Sequence, residues 1–169
     1  LAAHHAAGTA RVAMHVPKSD PLPKVTIIPR GRARGITMQL PERDHLSHTK
    51  LFLESRLAIL FGGRLAEELI FGPENVTTGA ASDIQMATQM ARGMITVYGM
   101  SDKLGRVRSQ ANEQEVFLEH AVTQTPNVSE ATAQILHQEV RRLIETAEGQ
   151  ATKVLTARRD TLHMIPQTL

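Results

Sequence analysis

The sequence predicts a mainly α-helical domain with a small antiparallel β ribbon and a long C-terminal helix. Aromatic residues make up only 3% of the 169 residues and tryptophan is absent, so the core must be built from aliphatic side chains, as is common in helical bundles. Apolar residues recur at steps of three and four in several segments, which is typical of helices with one buried face. The length suits one domain with a hydrophobic core, and we expect a single domain over residues 1–169.

Local composition predicts a first helix and the two strands of the ribbon. Residues 2–15 are rich in alanine, and Pro17 follows closely, so a helix that ends before Val16 is expected. Residues 25–28 form a β-branched run, and residues 35–41 form a second extended run after a turn rich in glycine and arginine. These two runs predict the antiparallel ribbon.

Two helices are predicted in the middle of the chain. Residues 47–71 form the first, and the pair Gly62-Gly63 in its second half lowers helix propensity by about 1 kcal/mol per glycine relative to alanine. We therefore expect a close-packed neighbour at these glycines. Residues 82–98 form the second helix. The predicted core stripes are Leu53, Leu57, Leu60, Phe61, Leu65 and Leu69 in the first helix and Ile84, Ala87, Ala91, Met94 and Ile95 in the second.

The last third of the chain predicts a loop and a long helix. Residues 99–128 are irregular and polar, which is typical of a surface loop. Ser129 is expected to cap the long helix, and Pro166 interrupts a last apolar segment at residues 162–165. The predicted core face of the long helix is Ile135, Leu136, Val140, Leu143, Ile144, Ala147, Ala151, Val154 and Leu155.

Composition excludes several classes of function. The formal net charge is only +2, and the cluster Arg30, Arg32 and Arg34 has no interleaved aromatic residues, so nucleic-acid binding is not expected. Cysteine is absent, so a metal ion would need His, Asp or Glu ligands. No apolar run approaches the roughly 18 residues that span a bilayer, so the chain as given is expected to be soluble. Its start within a helix-like segment suggests a piece of a longer protein.

The histidines do not form a recognisable zinc motif by themselves. His4 and His5 are adjacent, so on a helix their side chains point about 100° apart and cannot readily share an ion. His45 and His48 form the other local pair, and they precede the predicted helix, so exposure is expected. Taken without further information, the eight histidines are mostly surface or interface residues.

Three separated segments carry a family resemblance. Residues 24–35 read KVTIIPRGRARG, residues 62–68 read GGRLAEE, and residues 78–84 read TGAASDI. In order and spacing they are very similar to the peptidase domain of the FtsH family of membrane-anchored, ATP-dependent zinc proteases. The resemblance runs over essentially the whole chain and implies a helical zinc-peptidase fold.

The resemblance also implies the site residues. In the family, the first helix carries HEAGH, whose two histidines bind zinc while the glutamate is the general base, and the Asp of the TGAxxD segment is the third ligand. Carried over, His5 is the first ligand and Asp83 the third. Ala6 stands at the position of the glutamate and Thr9 at that of the second histidine. Zinc binding and peptide hydrolysis are therefore expected to be impaired.

Two glutamates are candidate substitutes for the missing ligand, and three further positions depart from the family pattern. Glu67 and Glu68 could replace missing ligands, but we expect one to be solvated and the other to hydrogen bond to a ligand histidine. Arg11, Arg34 and Pro166 also depart from the family pattern. A natural inactive paralogue, an engineered change and a sequence error remain open as origins of these departures.

The resemblance finally implies partners. In the family, a membrane anchor and an AAA+ module precede this domain, six copies form a ring, and ATP binds the AAA+ module, which this chain lacks. The substrates are polypeptides, and the ring faces the cytoplasm in bacteria or the matrix or stroma in organelles. Two functions remain open, a zinc metalloendopeptidase and a catalytically inactive structural subunit. The strand that resembles the substrate-pairing edge of the family comprises Gly35, Ile36, Thr37, Met38, Gln39 and Leu40. Two roles remain open for it, pairing with an extended substrate and shielding the core.

Overall fold

The described part of the chain is mainly helical, as predicted. A computed structural model gives four α-helices there, together with two short strands and two single-turn 3₁₀ helices at Pro73–Asn75 and Thr78–Ala80. The α-helices are α1 (Ala2–Ala13), α2 (Lys50–Phe71), α3 (Ala81–Thr96) and α4 (Glu130–Ala157). The residues that the structure describes are 2–20, 24–26, 36–38, 47–107, 129–157 and 159.

Small residues allow α1 to lie deep against the rest of the domain. Its buried positions include Ala6, Ala7, Gly8 and Ala10, whose short side chains bring the backbone close to a neighbouring helix. The helix ends at Ala13, two residues before the predicted end, and turns follow. This end fits the nearby proline, since the residue before a proline is disfavoured in helical conformation.

The two strands are three residues long. Strand β1 (Lys24–Thr26) pairs antiparallel with β2 (Ile36–Met38), with Val25 opposite Thr37. Both strands lie beside α1. The predicted ribbon was longer, and its remaining residues, 27–28, 35 and 39–41, lie outside the described residues.

Helix α2 is the centre of the packing, because it contacts each of the other three helices. It begins after Thr49, whose hydroxyl accepts a hydrogen bond from the Phe52 N–H at 3.2 Å, which is an N-cap that offsets an unpaired donor. It ends at Phe71, and Gly72, where φ is +84°, forms its C-cap. Of its predicted stripe, Leu53, Leu57 and Phe61 are buried, and Leu60, Leu65 and Leu69 are partly buried.

The predicted core stripe of α3 is correct except at its first position. Ala87, Ala91, Met94 and Ile95 are buried, whereas Ile84 is 42% exposed. Ile84 instead borders an open groove of about 250 Å³, whose other lining residues belong to α2, α3 and α4. The side chain is exposed to solvent in this groove, so the prediction from periodicity that Ile84 is buried was wrong.

Helix α4 begins after its predicted cap. The Ser129 hydroxyl accepts a hydrogen bond from the Thr132 N–H at 3.2 Å, which confirms the cap. The residues of α4 that are fully buried include Leu136, Leu143, Ala147, Ala151 and Leu155. The remaining predicted core positions, Ile135, Val140, Ile144 and Val154, are half-buried.

The predicted loop at 99–128 is described only as far as residue 107, where Ser101 and Gly105 form an isolated bridge. Residues 162–166 lie outside the described part. Within the described residues, no helix combines the length and the apolarity that crossing a membrane requires.

Candidate active site

The site lies where α1 crosses α2, and glycines set the distance between the two helices. A Cβ atom at Gly8 would overlap the Ala66 side chain and the carbonyl oxygen of Gly62. A Cβ atom at Gly62 would lie 2.9 Å from the carbonyl oxygen of Gly8, which is closer than real Cβ contacts allow. The close-packed neighbour expected at the glycine pair is therefore present, and it is α1.

This close crossing brings His5 between two carboxylates. His5 Nδ1 lies 2.9 Å from Glu67 Oε1 on α2, and His5 Nε2 lies 3.3 Å from Asp83 Oδ2 on α3. Gly63 makes room for the imidazole, because a Cβ atom at that position would fall on the ring. Three helices thus contribute to one cluster, although Asp83 is 78 residues from His5 in the sequence.

Glu67 is the buried anchor of the cluster. Its side chain is 2% exposed, and Oε2 accepts hydrogen bonds from both the backbone N–H and the hydroxyl of Thr77, each at 3.0 Å. A buried carboxylate is tolerated when its lone pairs are used in this way. Glu68, by contrast, is exposed. The expectation that one glutamate is solvated and the other bonds to a histidine is confirmed for Glu68 and for Glu67 with His5.

The cluster favours charged forms of both partners. The hydrogen bond to Asp83 raises the pKa of His5, burial opposes this, and Glu67 adds to the increase. Burial acts to raise the pKa of Glu67, but the bonds from Thr77 and His5 together lower it. An imidazolium donates from both ring nitrogens, so the geometry suits a protonated His5 between two carboxylates.

The two positions that depart from the family motif supply no equivalent chemistry. Ala6 is 3% exposed, and its methyl group can neither accept nor donate a proton. Thr9 lies one turn after His5, and its hydroxyl donates to the His5 carbonyl oxygen at 3.2 Å. That hydroxyl is therefore used within its own helix.

The residues present do not fit a catalytic zinc ion. Such a site needs three protein ligands and an open position, whereas only His5 Nε2 and Asp83 Oδ2 face each other here. Glu67 bonds to the other ring nitrogen, on the far side of the imidazole. Among the described residues, no group of three or more His, Asp or Glu side chains is arranged to hold a metal ion.

The other histidines with described side chains include exposed ones. His15 Nδ1 lies 2.8 Å from the Arg11 carbonyl oxygen, in an exposed position. His48 is exposed, as expected, and stacks on Phe52 with 4.7 Å between ring centroids. His137 is exposed on α4. His45, His120 and His163 lie outside the described residues.

The predicted substrate strand is described in part. The backbone of Ile36, Thr37 and Met38 forms β2 beside α1, while Gly35, Gln39 and Leu40 lie outside the described residues. Sequence reasoning did not identify Thr77 as a partner of Glu67. No local signal could have done so, because the contact depends on how the loop after α2 folds back.

Comparison with known proteins agrees with the family resemblance. The model of peptidase family M41 matches residues 1–169. The chain is 51% identical over its full length to an ATP-dependent zinc metalloprotease FtsH of Caulobacter vibrioides. It is 50% and 48% identical, over 99% of its length, to proteins of that name from Magnetococcus marinus and Photobacterium profundum.

The chain spans only about a quarter of the length of these relatives, 27% of the first protein and 24% of the other two. The family match over all 169 residues, together with these identities, establishes its classification. The chain belongs to peptidase family M41.

Proposed function

We propose that this chain is the peptidase domain of an FtsH-type, ATP-dependent zinc metalloendopeptidase that degrades polypeptides. The observation that carries the proposal is the meeting of His5 and Asp83, whose Nε2 and Oδ2 atoms lie 3.3 Å apart. These are two of the three positions that bind zinc in the family, and they lie on α1 and α3. The names of the relatives support the same activity.

The chemistry available to this sequence is weaker than that of the family motif. Ala6 removes the general base, whose contribution to rate is about 10²- to 10⁴-fold. Thr9 replaces an imidazole with a neutral hydroxyl, which is a poor zinc ligand. We therefore expect the chain as it stands to hydrolyse peptides poorly.

A second candidate function follows from these two substitutions. The chain would be a catalytically inactive subunit that keeps the fold and the substrate path of a protease ring. The burial of Ala6 and the hydrogen bond from Thr9 to the His5 carbonyl favour this candidate, because both side chains are accommodated without disturbing the cluster.

Strand β2 is the proposed substrate-binding edge in both cases. Residues 35–40 would pair with an extended polypeptide through backbone hydrogen bonds, which gives broad sequence tolerance. Strand β1 pairs with one edge of β2, and β2 contacts α1, the helix that carries His5. Pairing through the backbone suits a protease that accepts many substrates.

The wider context is proposed from the family. The domain would work in a homo-hexamer with an AAA+ module that binds ATP, tethered through an N-terminal membrane anchor. The ring would face the cytoplasm at the inner membrane of a bacterium, or the matrix or stroma of an organelle.

The test compares the chain with an Ala6→Glu/Thr9→His variant that restores the family motif. Zinc content and cleavage of fluorescent unfolded casein are measured for both. For the unchanged chain we expect far less than one zinc ion per chain and little casein cleavage. For the variant we expect zinc binding and cleavage. Cleavage by the unchanged chain at the rate of the variant would contradict the expected impairment and exclude the inactive subunit.

Casein binding separates the remaining outcomes. Fluorescence anisotropy that shows binding by both chains supports a peptidase-type substrate path, with or without cleavage. A restored variant that binds zinc but neither binds nor cleaves casein would overturn the proposed function.

A further inference from the structure

The His5 cluster leaves none of its buried polar atoms in need of a metal ion. His5 Nδ1 and Nε2 face Glu67 and Asp83, and the second oxygen of Glu67 is bonded to Thr77. We infer that His5, Glu67 and Asp83 form a metal-independent tie that holds α1 against α2 and the start of α3. This inference stands whether or not the chain acts in a protease ring.

The position of the tie explains why it matters for stability. Much of α1 is alanine and glycine, so it buries little apolar area per residue, and at Gly8 its backbone lies directly against α2. His5 adds polar contacts to two other helices near the N-terminal end of α1, at 2.9 Å from Glu67 and 3.3 Å from Asp83. Loss of His5 would leave Glu67 buried without one partner, which is costly.

The distance between His5 Nε2 and Asp83 Oδ2 has a second meaning. Two ligand atoms at about 2.0–2.1 Å from a tetrahedral zinc ion lie about 3.3–3.4 Å apart, and the observed separation is 3.3 Å. The distance alone would allow two zinc ligands, but the Thr9 hydroxyl bonds to the His5 carbonyl oxygen and supplies no third donor, so the pair does not form a zinc site.

The inference is tested by thermal unfolding of the 169-residue chain in EDTA and, separately, with one equivalent of zinc chloride. We expect the same Tm in both. His5→Gln should lower the Tm by about 4 °C or more in EDTA, because the bridge between the carboxylates is lost. His137→Gln, which changes an exposed histidine on α4, is the matched control and should leave the Tm within about 1 °C.

Asp83→Asn provides a milder variant in case His5→Gln does not fold. Asp83 is 29% exposed, and the amide keeps the shape of the carboxylate but removes its charge. Its Tm should fall in EDTA and in zinc by the same amount. Thr9→His should instead make the Tm depend on zinc, because it supplies the third donor.

Two results would overturn the inference. One is about one zinc ion per unchanged chain by mass spectrometry, with a Tm that EDTA lowers. The other is a His5→Gln or Asp83→Asn variant as stable in EDTA as the His137→Gln control. Neither measurement depends on casein cleavage, so a failure here is distinct from a failure of the proposed protease function.

Discussion

Gly63 of α2 lies directly against the imidazole ring of His5 on α1, so that a Cβ atom at position 63 would occupy the place of the ring. The glycine lowers the helix propensity of α2, and the fold gains the room in which His5 reaches Glu67 and Asp83. Alanine at position 63 would therefore favour the isolated helix but disturb the cluster.

The Gly63→Ala variant is expected to be less stable than the unchanged chain by about 1–3 kcal/mol. The added methyl group meets the His5 ring, and overpacking of this kind forces side chains off their preferred rotamers. Urea unfolding measures the change, and the NMR signals of the His5 ring should shift because the ring must move.

The matched control is Gly149→Ala on α4, where a Cβ atom would meet nothing within 4 Å. This variant should be about 0.5–1 kcal/mol more stable, because alanine loses less conformational entropy in a helix than glycine does. If the two substitutions changed the free energy of unfolding equally, the position of the His5 ring would not depend on glycine at position 63.

Thr77→Val tests the second half of the Glu67 anchor. Valine keeps the branched shape but removes the hydroxyl, which bonds Glu67 Oε2 and also accepts from the Gly79 N–H. We expect a loss of about 1–2 kcal/mol in the free energy of unfolding, since a buried carboxylate loses a partner.

Thr146→Val is the control, because its exposed hydroxyl donates to the Arg142 carbonyl oxygen. It should change the free energy of unfolding by about 0.5 kcal/mol at most. Similar losses for the two variants would argue against the anchor.

The sequence predicted the helices well and the cluster only in part. Repeating apolar positions give the buried face of a helix, so α2 and α4 could be recognised, and Ser129 signalled its own cap. Ile84 shows the limit, because its exposure depends on the groove beside it. The glycine pair indicated close packing, but not that Gly63 faces His5. Such pairings depend on how helices cross, which local pattern does not contain.

A second buried carboxylate ties the loop after α3 to α4. Glu139 is 2% exposed, and its oxygens accept from Ser101 Oγ at 2.6 Å and from Arg142 Nε at 2.7 Å. Glu139→Ala is expected to cost about 2 kcal/mol of unfolding free energy. Arg142 is 48% exposed and can turn to water, so the loss comes mainly from the Ser101 bond and the cavity.

Glu145→Ala is the matched control on the same helix. Glu145 pairs with Arg141 at 2.9 Å, but both side chains are exposed, 62% and 81%, and such surface pairs contribute little. The change in the free energy of unfolding should stay within about 0.5 kcal/mol. A cost for Glu145→Ala as large as that for Glu139→Ala would show that burial of Glu139 is not the cause.

The same carboxylate should make the domain sensitive to acid. The hydrogen bonds from Arg142 and then Ser101 lower the pKa of Glu139 below its ordinary value of 4.5, with a smaller contribution from the charge of Lys103. Because the pKa is lower in the folded state than in the unfolded state, ionised Glu139 contributes stability in full above pH 4.5. This contribution is lost as the pH falls through the folded pKa.

The Glu139→Gln variant tests this sensitivity, because glutamine keeps the Ser101 partner but cannot titrate. Urea unfolding between about pH 5 and pH 3 should therefore show a shallower loss of stability for Glu139→Gln than for the unchanged chain. Glu67, whose pKa is also lowered, should contribute to the slope that remains. An identical slope in both proteins would exclude Glu139 as an acid-sensitive group.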